Sequence, residues 1–172
     1  MSLLYPTAMF ERITELTPDI LRELGVDALM LDVDNTLTTH NNPNLEPEVL
    51  AWLEVMRGAE IPLIIISNNS RKRVEPFARA LGLDYIACAM KPLPFGYWRA
   101  AEHLGKSGWQ TAVVGDQIFT DILGGRLCGV QAILLAPIEP EDGAFFRFKR
   151  KIEVVILRHY RKKISRSVVR RD

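Results

Sequence analysis

Short apolar runs alternate with amphipathic stretches along most of the chain. Ala28–Val33 and the β-branched run Ile61–Ile66 are almost continuously hydrophobic, which is typical of strands buried on both faces. Shorter runs predict further strands at Tyr85–Ala87, Thr111–Val114 and Val130–Leu135. Because strands that alternate with helices are joined by right-handed crossovers, the pattern predicts an α/β fold. We expect a three-layer, doubly wound and mostly parallel sheet.

Helix signals lie between these runs. Thr17 is placed to cap a first helix, with Pro18 at its first position and Gly25 as its end. Pro47 begins a second predicted helix, which ends near Gly58. Three more are predicted, from a cap at Ser70 to Gly82, over Pro94–Leu104, and over Phe119–Cys128 with Gly129 as the stop.

The charge of the chain is unevenly distributed. Its 172 residues carry a net charge of +1, but Phe145 to Asp172 contains eleven Lys/Arg and two Asp/Glu. This gives residues 145–172 a net charge of +9 and the remainder of the chain −8. Glu139–Gly143 is typical of a linker, so we expect a domain over residues 1–138 and a basic tail over 139–172. Apolar residues recur at helical spacing in that tail, at Ile152, Val155, Ile156, Tyr160 and Ile164.

Composition favours a globular protein without a membrane span. Hydrophobic residues make up 48% and charged residues 25% of the chain. No window reaches the roughly 18 apolar residues that a spanning helix needs, and the first residues lack a signal-peptide pattern. We therefore expect a cytoplasmic location, with peripheral membrane attachment as an option. Cys88 and Cys128 show no metal-binding spacing and are expected to be buried free thiols.

Polar residues follow four of the predicted strands, at the point where each strand ends. Because the carboxyl ends of parallel strands meet at one edge, these residues should lie close together. Adjacent carboxylates are costly there unless a divalent cation or a reaction needs them. Taken singly, each group has a structural explanation as a turn, a helix cap or a surface lysine. Their joint placement instead favours phosphoryl transfer. The residues are Asp32 and Asp34, Ser67 and Asn68, Lys91, and Asp116 with Asp121.

These stretches resemble the four motifs of the haloacid-dehalogenase superfamily of phosphatases. The segments are Asp32-Val-Asp34-Asn-Thr-Leu, Ser67-Asn-Asn, Lys91-Pro and Gly115-Asp116-Gln-Ile-Phe-Thr-Asp121. The resemblance runs from about Ala28 to Leu135. More narrowly, the chain is similar to the YqeG-type members of subclass IIIA. That group is itself similar to mitochondrial phosphatases that act on phosphatidylglycerophosphate.

The resemblance implies a role for each side chain. Asp32 would be the nucleophile that forms an aspartyl-phosphate, and Asp34 would be first the general acid and then the base. Mg²⁺ would be held by Asp32, the main-chain carbonyl of Asp34 and Asp116. Ser67 and Asn68 would bind phosphoryl oxygens, and Lys91 would neutralise negative charge. Asp121 and Thr36 would surround the metal site and orient its ligands without binding the metal directly.

Many members of this superfamily carry a cap domain, for which this chain has no room. Leu37 to Pro47 spans only a short loop, and Asp84 to Lys91 leaves no space for an insertion. An open site suits a phosphate presented on something large. The resemblance implies phosphatidylglycerophosphate as the preferred substrate, and the open site and basic tail agree with a phosphorylated head group at an anionic membrane surface. Phe145, Phe146 and Phe148 could insert at the interface, and the loop His40–Asn44 could contact substrate.

Several alternatives stay open at this point. A nucleic-acid end would attract the same basic charges, although nucleic acid is the less favoured partner. A soluble phosphometabolite is a further candidate substrate. A receiver-like signalling module also clusters aspartates with a lysine, but the second carboxylate of Asp32-x-Asp34 argues against it. The chain could also be a scaffold, and its tail a solvated helix packed on the sheet.

Overall fold

The computed structural model describes residues 2–39, 42, 44–139 and 152–160. Its centre is a six-stranded sheet in which each strand pair is parallel. The strand order is β1-β6-β5-β2-β3-β4. This confirms the predicted α/β fold with its parallel sheet. The strands are β1 Ala8–Phe10, β2 Ala28–Leu31, β3 Leu63–Ile66, β4 Asp84–Ile86, β5 Thr111–Gly115 and β6 Gln131–Leu135.

The helices begin and end close to the predicted residues. The Thr17 hydroxyl accepts a hydrogen bond from the Ile20 N–H, and Gly25 ends the first helix in the left-handed conformation, at φ 68°. Ser70 occupies the cap position of the third helix without a capping side-chain bond. The helices are α1 Pro18–Leu24, α2 Pro47–Gly58, α3 Arg71–Ala80, α4 Pro94–Leu104, α5 Leu123–Leu127 and α6, residues 152–160. Ile118–Ile122 forms a π-helical segment before α5.

Each face of the sheet has its own hydrophobic core. On one face, side chains of α2 and α3 such as Trp52 and Phe77 pack with Leu29 and Leu31 of β2. On the other face, Met30 packs with residues of α4 and of the segment before α5, including Tyr97. Successive residues of a strand point to opposite faces, so a strand buried on both faces carries a continuous apolar run. The helices therefore cover both faces and leave the edge after the strands for the site.

Two features differ from expectation. Strand β1 was not predicted; it pairs with β6 in the register Ala8 with Ile133. The prediction that both cysteines are buried was wrong, because Cys88 is exposed and Cys128 is half-buried. After β4 the chain adopts positive φ at Cys88, at 49°, and again at Met90. This conformation turns the Cys88 side chain outward and buries its neighbour Ala89 instead.

Parts of the predicted tail lie outside the described residues. These are the linker after residue 139, the three phenylalanines 145, 146 and 148, and Ile164. His40, Asn41 and Pro43 of the predicted substrate loop also lie outside. Within the described ranges, no helix is both long and apolar enough to cross a lipid bilayer. Helix α6 is described, and its residues Ile156 and Leu157 pack against the second core.

Candidate active site

The carboxyl edge of the sheet brings the predicted polar residues together. Strand β2 lies between β3 and β5, so Asp32 at its end occupies the middle of that edge. The Asp32 N–H donates to the carbonyl of Val114, and the Ser67 N–H donates to that of Ile86. These bonds extend the sheet pairing by one residue past the strands. Each side chain therefore starts from a rigid backbone rather than from a free loop.

Lys91 is the buried cation of the site. Its Nζ lies 2.7 Å from Oδ1 of Asp32 and 2.6 Å from Oδ1 of Asp121. The Asn68 side chain holds the Lys91 main chain from both sides. Its Oδ1 accepts from the Lys91 N–H at 2.6 Å, and its Nδ2 donates to the Lys91 carbonyl at 3.0 Å. The side chain of Asn68 is thus used for positioning, and its contact with a phosphoryl group stays a prediction.

Three carboxylates cluster at this edge, and two of them contact the Lys91 ammonium. Asp32, Asp116 and Asp121 each offer one oxygen, and the three oxygens lie within 4.8 Å of one another. Hard oxygen ligands in this arrangement fit Mg²⁺. The sequence placed Asp121 beside the metal rather than on it, whereas the geometry makes Asp121 a candidate ligand as well as a partner of Lys91.

Gly115 makes room for this cluster. A Cβ atom built on Gly115 would lie 2.3 Å from Cγ of Asp121, a distance that real side chains do not adopt. Oδ2 of Asp121 in turn accepts a hydrogen bond from the Gln117 N–H at 3.2 Å. The carboxylate of Asp121 therefore folds back over its own turn. The glycine in the motif is a steric requirement for the position of Asp121.

Burial and the neighbouring charges shift the proton equilibria here. Burial raises the pKa of Asp32 from 3.8 to about 6; the charge of Asp121 adds to this, and Lys91 opposes it. Burial alone would lower the pKa of Lys91, but the charges of Asp121 and Asp32 outweigh it and raise that pKa. Lys91 therefore stays an ammonium at neutral pH. One ammonium among three carboxylates leaves a deficit of positive charge that a divalent cation would correct.

Asp34 has a separate set of partners. Its Oδ1 lies 2.9 Å from Nη2 of Arg73, and its Oδ2 accepts from the side-chain amide of Asn69. Asn69 belongs to the Ser-Asn-Asn stretch that the sequence singled out. Arg73 was not predicted; its only sequence signal is its place in the first turn of α3, at the same edge of the sheet. The two donors fix the orientation of the Asp34 carboxylate.

Ser67 and Thr36 are buried close to the catalytic segments. The Ser67 hydroxyl accepts from the Asn69 N–H at 3.2 Å, and the Ser67 carbonyl accepts from Ala89 in the segment before Lys91. Thr36 lies in the turn after Asp34. Among the described residues, none forms a hydrogen bond with its hydroxyl. The predicted roles of Ser67 on phosphate and of Thr36 around the metal stay predictions.

Comparison with solved structures supports the fold. The cobalt-bound deoxy-D-mannose-octulosonate 8-phosphate phosphatase (YrbI) of Haemophilus influenzae matches with a TM-score of 0.53 at 12% identity. The match covers 79% of this chain and 90% of that one. At this identity the likeness shows the fold alone.

Sequence comparison adds the family. Residues 43–129 match the family described as haloacid dehalogenase-like hydrolase. The chain is 35% identical over 158 residues to the probable phosphatase YqeG of Bacillus subtilis, and the match covers 92% of each. It is 24% identical over 156 residues to phosphatidylglycerophosphate phosphatase 1, chloroplastic/mitochondrial, of Arabidopsis thaliana, covering 84% of this chain but 44% of the plant protein. The chain therefore belongs to the haloacid dehalogenase-like hydrolases, as a phosphatase related to YqeG.

Proposed function

We propose that this phosphatase is a Mg²⁺-dependent phosphomonoester hydrolase that works through an aspartyl-phosphate on Asp32. The observation that carries the proposal is the ammonium of Lys91 between Asp32 and Asp121, beside the third carboxylate of Asp116. A pKa near 6 keeps Asp32 mainly ionised at pH 7.5 in the absence of metal. Its carboxylate is then a nucleophile that needs no further deprotonation.

The reaction takes place in two displacements. An oxygen of Asp32 attacks phosphorus, and the bond from phosphorus to the ester oxygen breaks. Asp34 donates its proton to the departing alkoxide. Asp34 then removes a proton from a water molecule, and the water oxygen attacks phosphorus. The bond between phosphorus and Asp32 breaks, which releases inorganic phosphate and restores the carboxylate of Asp32. Lys91 stays charged throughout and offsets the negative charge on the nucleophile and the phosphoryl group.

The expected metal ligands are Asp32, the main-chain carbonyl of Asp34 and Asp116. When bound, Mg²⁺ would supply positive charge to the phosphoryl oxygens. Asn69 and Arg73 orient the carboxyl group of Asp34 toward its task as acid and base. Ser67, buried at the end of β3, is expected to donate its hydroxyl to a phosphoryl oxygen.

The surface around Lys91 favours an amphiphilic substrate. Four large apolar side chains are about half exposed within nine residues of chain, and exposed apolar side chains that lie together are typical of interaction sites. The rings of Phe95 and Trp98 make an edge-to-face contact with centroids 5.9 Å apart. Aromatic side chains of this kind favour the membrane–water interface. The four side chains are Met90, Leu93, Phe95 and Trp98.

We therefore propose a phosphorylated lipid head group as the substrate, with phosphatidylglycerophosphate preferred. The name of the plant relative supports this choice, as does the basic tail, which would attract an anionic surface. The proposed location is cytoplasmic with peripheral contact to the membrane. A nucleic-acid end, a soluble phosphometabolite, and a receiver-like or scaffold role are the alternatives to be tested.

A substrate panel tests this proposal. It compares p-nitrophenyl phosphate, phosphatidylglycerophosphate in mixed micelles, a 5′-phosphorylated oligonucleotide and glycerol 3-phosphate, each with Mg²⁺ and with chelator. We expect steady Mg²⁺-dependent turnover, highest kcat/KM on the lipid, and no activity of Asp32→Asn. Asp34→Asn should slow alkyl phosphates more than p-nitrophenyl phosphate, whose leaving group needs no acid. A single phosphorylation without turnover would instead indicate a receiver, and higher kcat/KM on a soluble ester would remove the lipid assignment.

A further inference from the structure

A buried carboxylate in the basic tail contacts the catalytic turn. Glu153 of α6 is 3% exposed, and its Oε1 accepts a hydrogen bond from the Ile118 N–H at 3.0 Å. Between residues 145 and 172 the only other acidic residue is Asp172, against eleven basic ones. Burial of a carboxylate is unfavourable unless hydrogen bonds satisfy it. The position of Glu153 is therefore a specific feature of this tail and not part of its solvated charge.

Ile118 lies in the turn that carries two of the three clustered carboxylates. Asp116 precedes it by two residues and Asp121 follows it by three. The Gln117 N–H of this turn donates to Asp121. The next N–H along the chain, that of Ile118, donates to Glu153. Because the two contacts bind consecutive N–H groups, they fix the direction of the backbone between Asp116 and Asp121.

Helix α6 is anchored well enough to hold Glu153 in place. Ile156 and Leu157 pack against the core on the α4 and α5 face of the sheet, which also contains Ile118. The ring of Tyr160 contacts that of Tyr5 with centroids 5.3 Å apart. Val155, by contrast, is half exposed on the same helix. One side of α6 is therefore fixed to the domain while the other faces solvent.

We propose that Glu153 is a positioning residue for the Asp116–Asp121 turn, and that the C-terminal segment is part of the active-site framework. The effect on catalysis rests on the proposed function, but the effect on the turn does not. Glu153 binds the Ile118 main chain, two residues after the expected metal ligand Asp116, and is proposed to act through that bond. Removing groups that hydrogen-bond to metal ligands typically changes metal affinity or activity about 10–100-fold; because Glu153 acts through the main chain between two such residues, we expect about tenfold.

Two conservative variants separate the reach of this side chain from its charge. Glu153→Gln keeps an oxygen at the same distance, so the bond from the Ile118 N–H is retained. Glu153→Asp keeps the charge but is shorter by one methylene, about 1.5 Å, so that the bond is lost. Val155→Ala on the exposed side of the same helix is the matched control. All three retain the full chain and change the volume of α6 only slightly.

The first readout is hydrogen exchange of the peptide that contains residues 115–122, measured in chelator. We expect Glu153→Asp to exchange at least about tenfold faster there, with Glu153→Gln and Val155→Ala close to wild type. The second is the Mg²⁺ concentration that gives half of the maximal increase in Tm, which should rise about tenfold in Glu153→Asp. The third is kcat on p-nitrophenyl phosphate, which should fall together with metal affinity while KM changes less.

The outcomes separate the two proposals. If wild type hydrolyses no ester, the proposed function fails, while hydrogen exchange still decides the role of Glu153. If Glu153→Asp exchanges at the wild-type rate in residues 115–122, the positioning role is wrong. If exchange increases but Mg²⁺ affinity and kcat are unchanged, Glu153 only stabilises the fold, which also contradicts the proposal. A defect in Glu153→Gln, with Glu153→Asp close to wild type, would show that charge, not reach, matters, and would overturn the hydrogen-bond argument.

Discussion

Replacement of the nucleophile should stabilise the metal-free protein. Asp32 is held in a buried site beside Asp121, and its pKa rises from 3.8 to about 6. At about 1.4 kcal/mol for each factor of ten in the proton equilibrium, this difference corresponds to about 3 kcal/mol. Asp32→Asn removes the charge but keeps an oxygen that can accept from Nζ of Lys91. Most of the electrostatic cost should therefore disappear without loss of the contact.

The stability difference between wild type and Asp32→Asn depends on pH. Because the folded protein holds the Asp32 proton more tightly than the unfolded chain, the associated stability is fully present below pH 3.8. It is lost as the pH rises through about 6. Wild type should therefore be about as stable as Asp32→Asn near pH 4, and about 3 kcal/mol less stable at pH 7.5. Groups far from the site contribute equally to both proteins, so the difference between the two profiles reports Asp32 together with the charges of Lys91 and Asp121 that interact with it.

Urea unfolding in chelator at several pH values measures this difference. The exposed Asp19, which pairs with Arg22 on α1, provides the control Asp19→Asn, which should follow wild type. Addition of Mg²⁺ at about 100 times its dissociation constant should stabilise wild type by about 2.7 kcal/mol and Asp32→Asn by less. Parallel pH profiles for wild type and Asp32→Asn would refute the reasoning, because they would mean that the Asp32 carboxylate is not destabilising when buried.

Two further substitutions test the geometry of the site. Gly115→Ala should displace Asp121 and lower kcat on p-nitrophenyl phosphate by about 100-fold or more. The control Gly58→Ala meets no atom within 4 Å and should keep wild-type activity; full activity of Gly115→Ala would contradict the steric argument. Arg73→Ala should leave Asp34 poorly oriented and lower kcat about tenfold on alkyl phosphates but less on p-nitrophenyl phosphate, with partial rescue by Arg73→Lys. An equal loss on both esters would contradict the assigned role.

The sheet and the catalytic edge could be predicted because their signals are local. The apolar runs that became β2 and β3 are continuous, and the structure moves their ends by only two residues. Thr17 and Gly25 fix both ends of α1 through hydrogen bonds and φ angles that those residue types favour. The polar residues directly after strands then meet by topology alone. No long-range information was needed to place Asp32 and Lys91 at the same edge.

The missed features depend on contacts between distant segments. Ala8–Phe10 is a half-buried strand of three residues, and it forms only because β6 offers a parallel edge. In the sequence, Arg73 cannot be told from a surface charge, because only the packing of α3 brings it to Asp34, 39 residues earlier in the chain. Cys88 was predicted to be a buried thiol, but its positive φ angle turns the side chain outward. In each case the tertiary environment, not local propensity, decides the outcome.

Glu153 is the clearest example. The charge pattern of the tail predicts a separate segment, whereas the hydrogen bond from the Ile118 N–H to Glu153 joins the tail to the active site. The sequence predicts a basic helical tail beyond the Glu139–Gly143 linker, with a domain boundary at residue 138. The turn between Asp116 and Asp121 is nevertheless held from outside this stretch of sequence. The hydroxyl of Tyr97 donates to the Thr120 carbonyl at 2.8 Å, and Glu153 accepts from the Ile118 N–H. Since a motif of seven residues cannot supply these partners itself, α6 belongs to the catalytic unit whatever surface its basic residues meet.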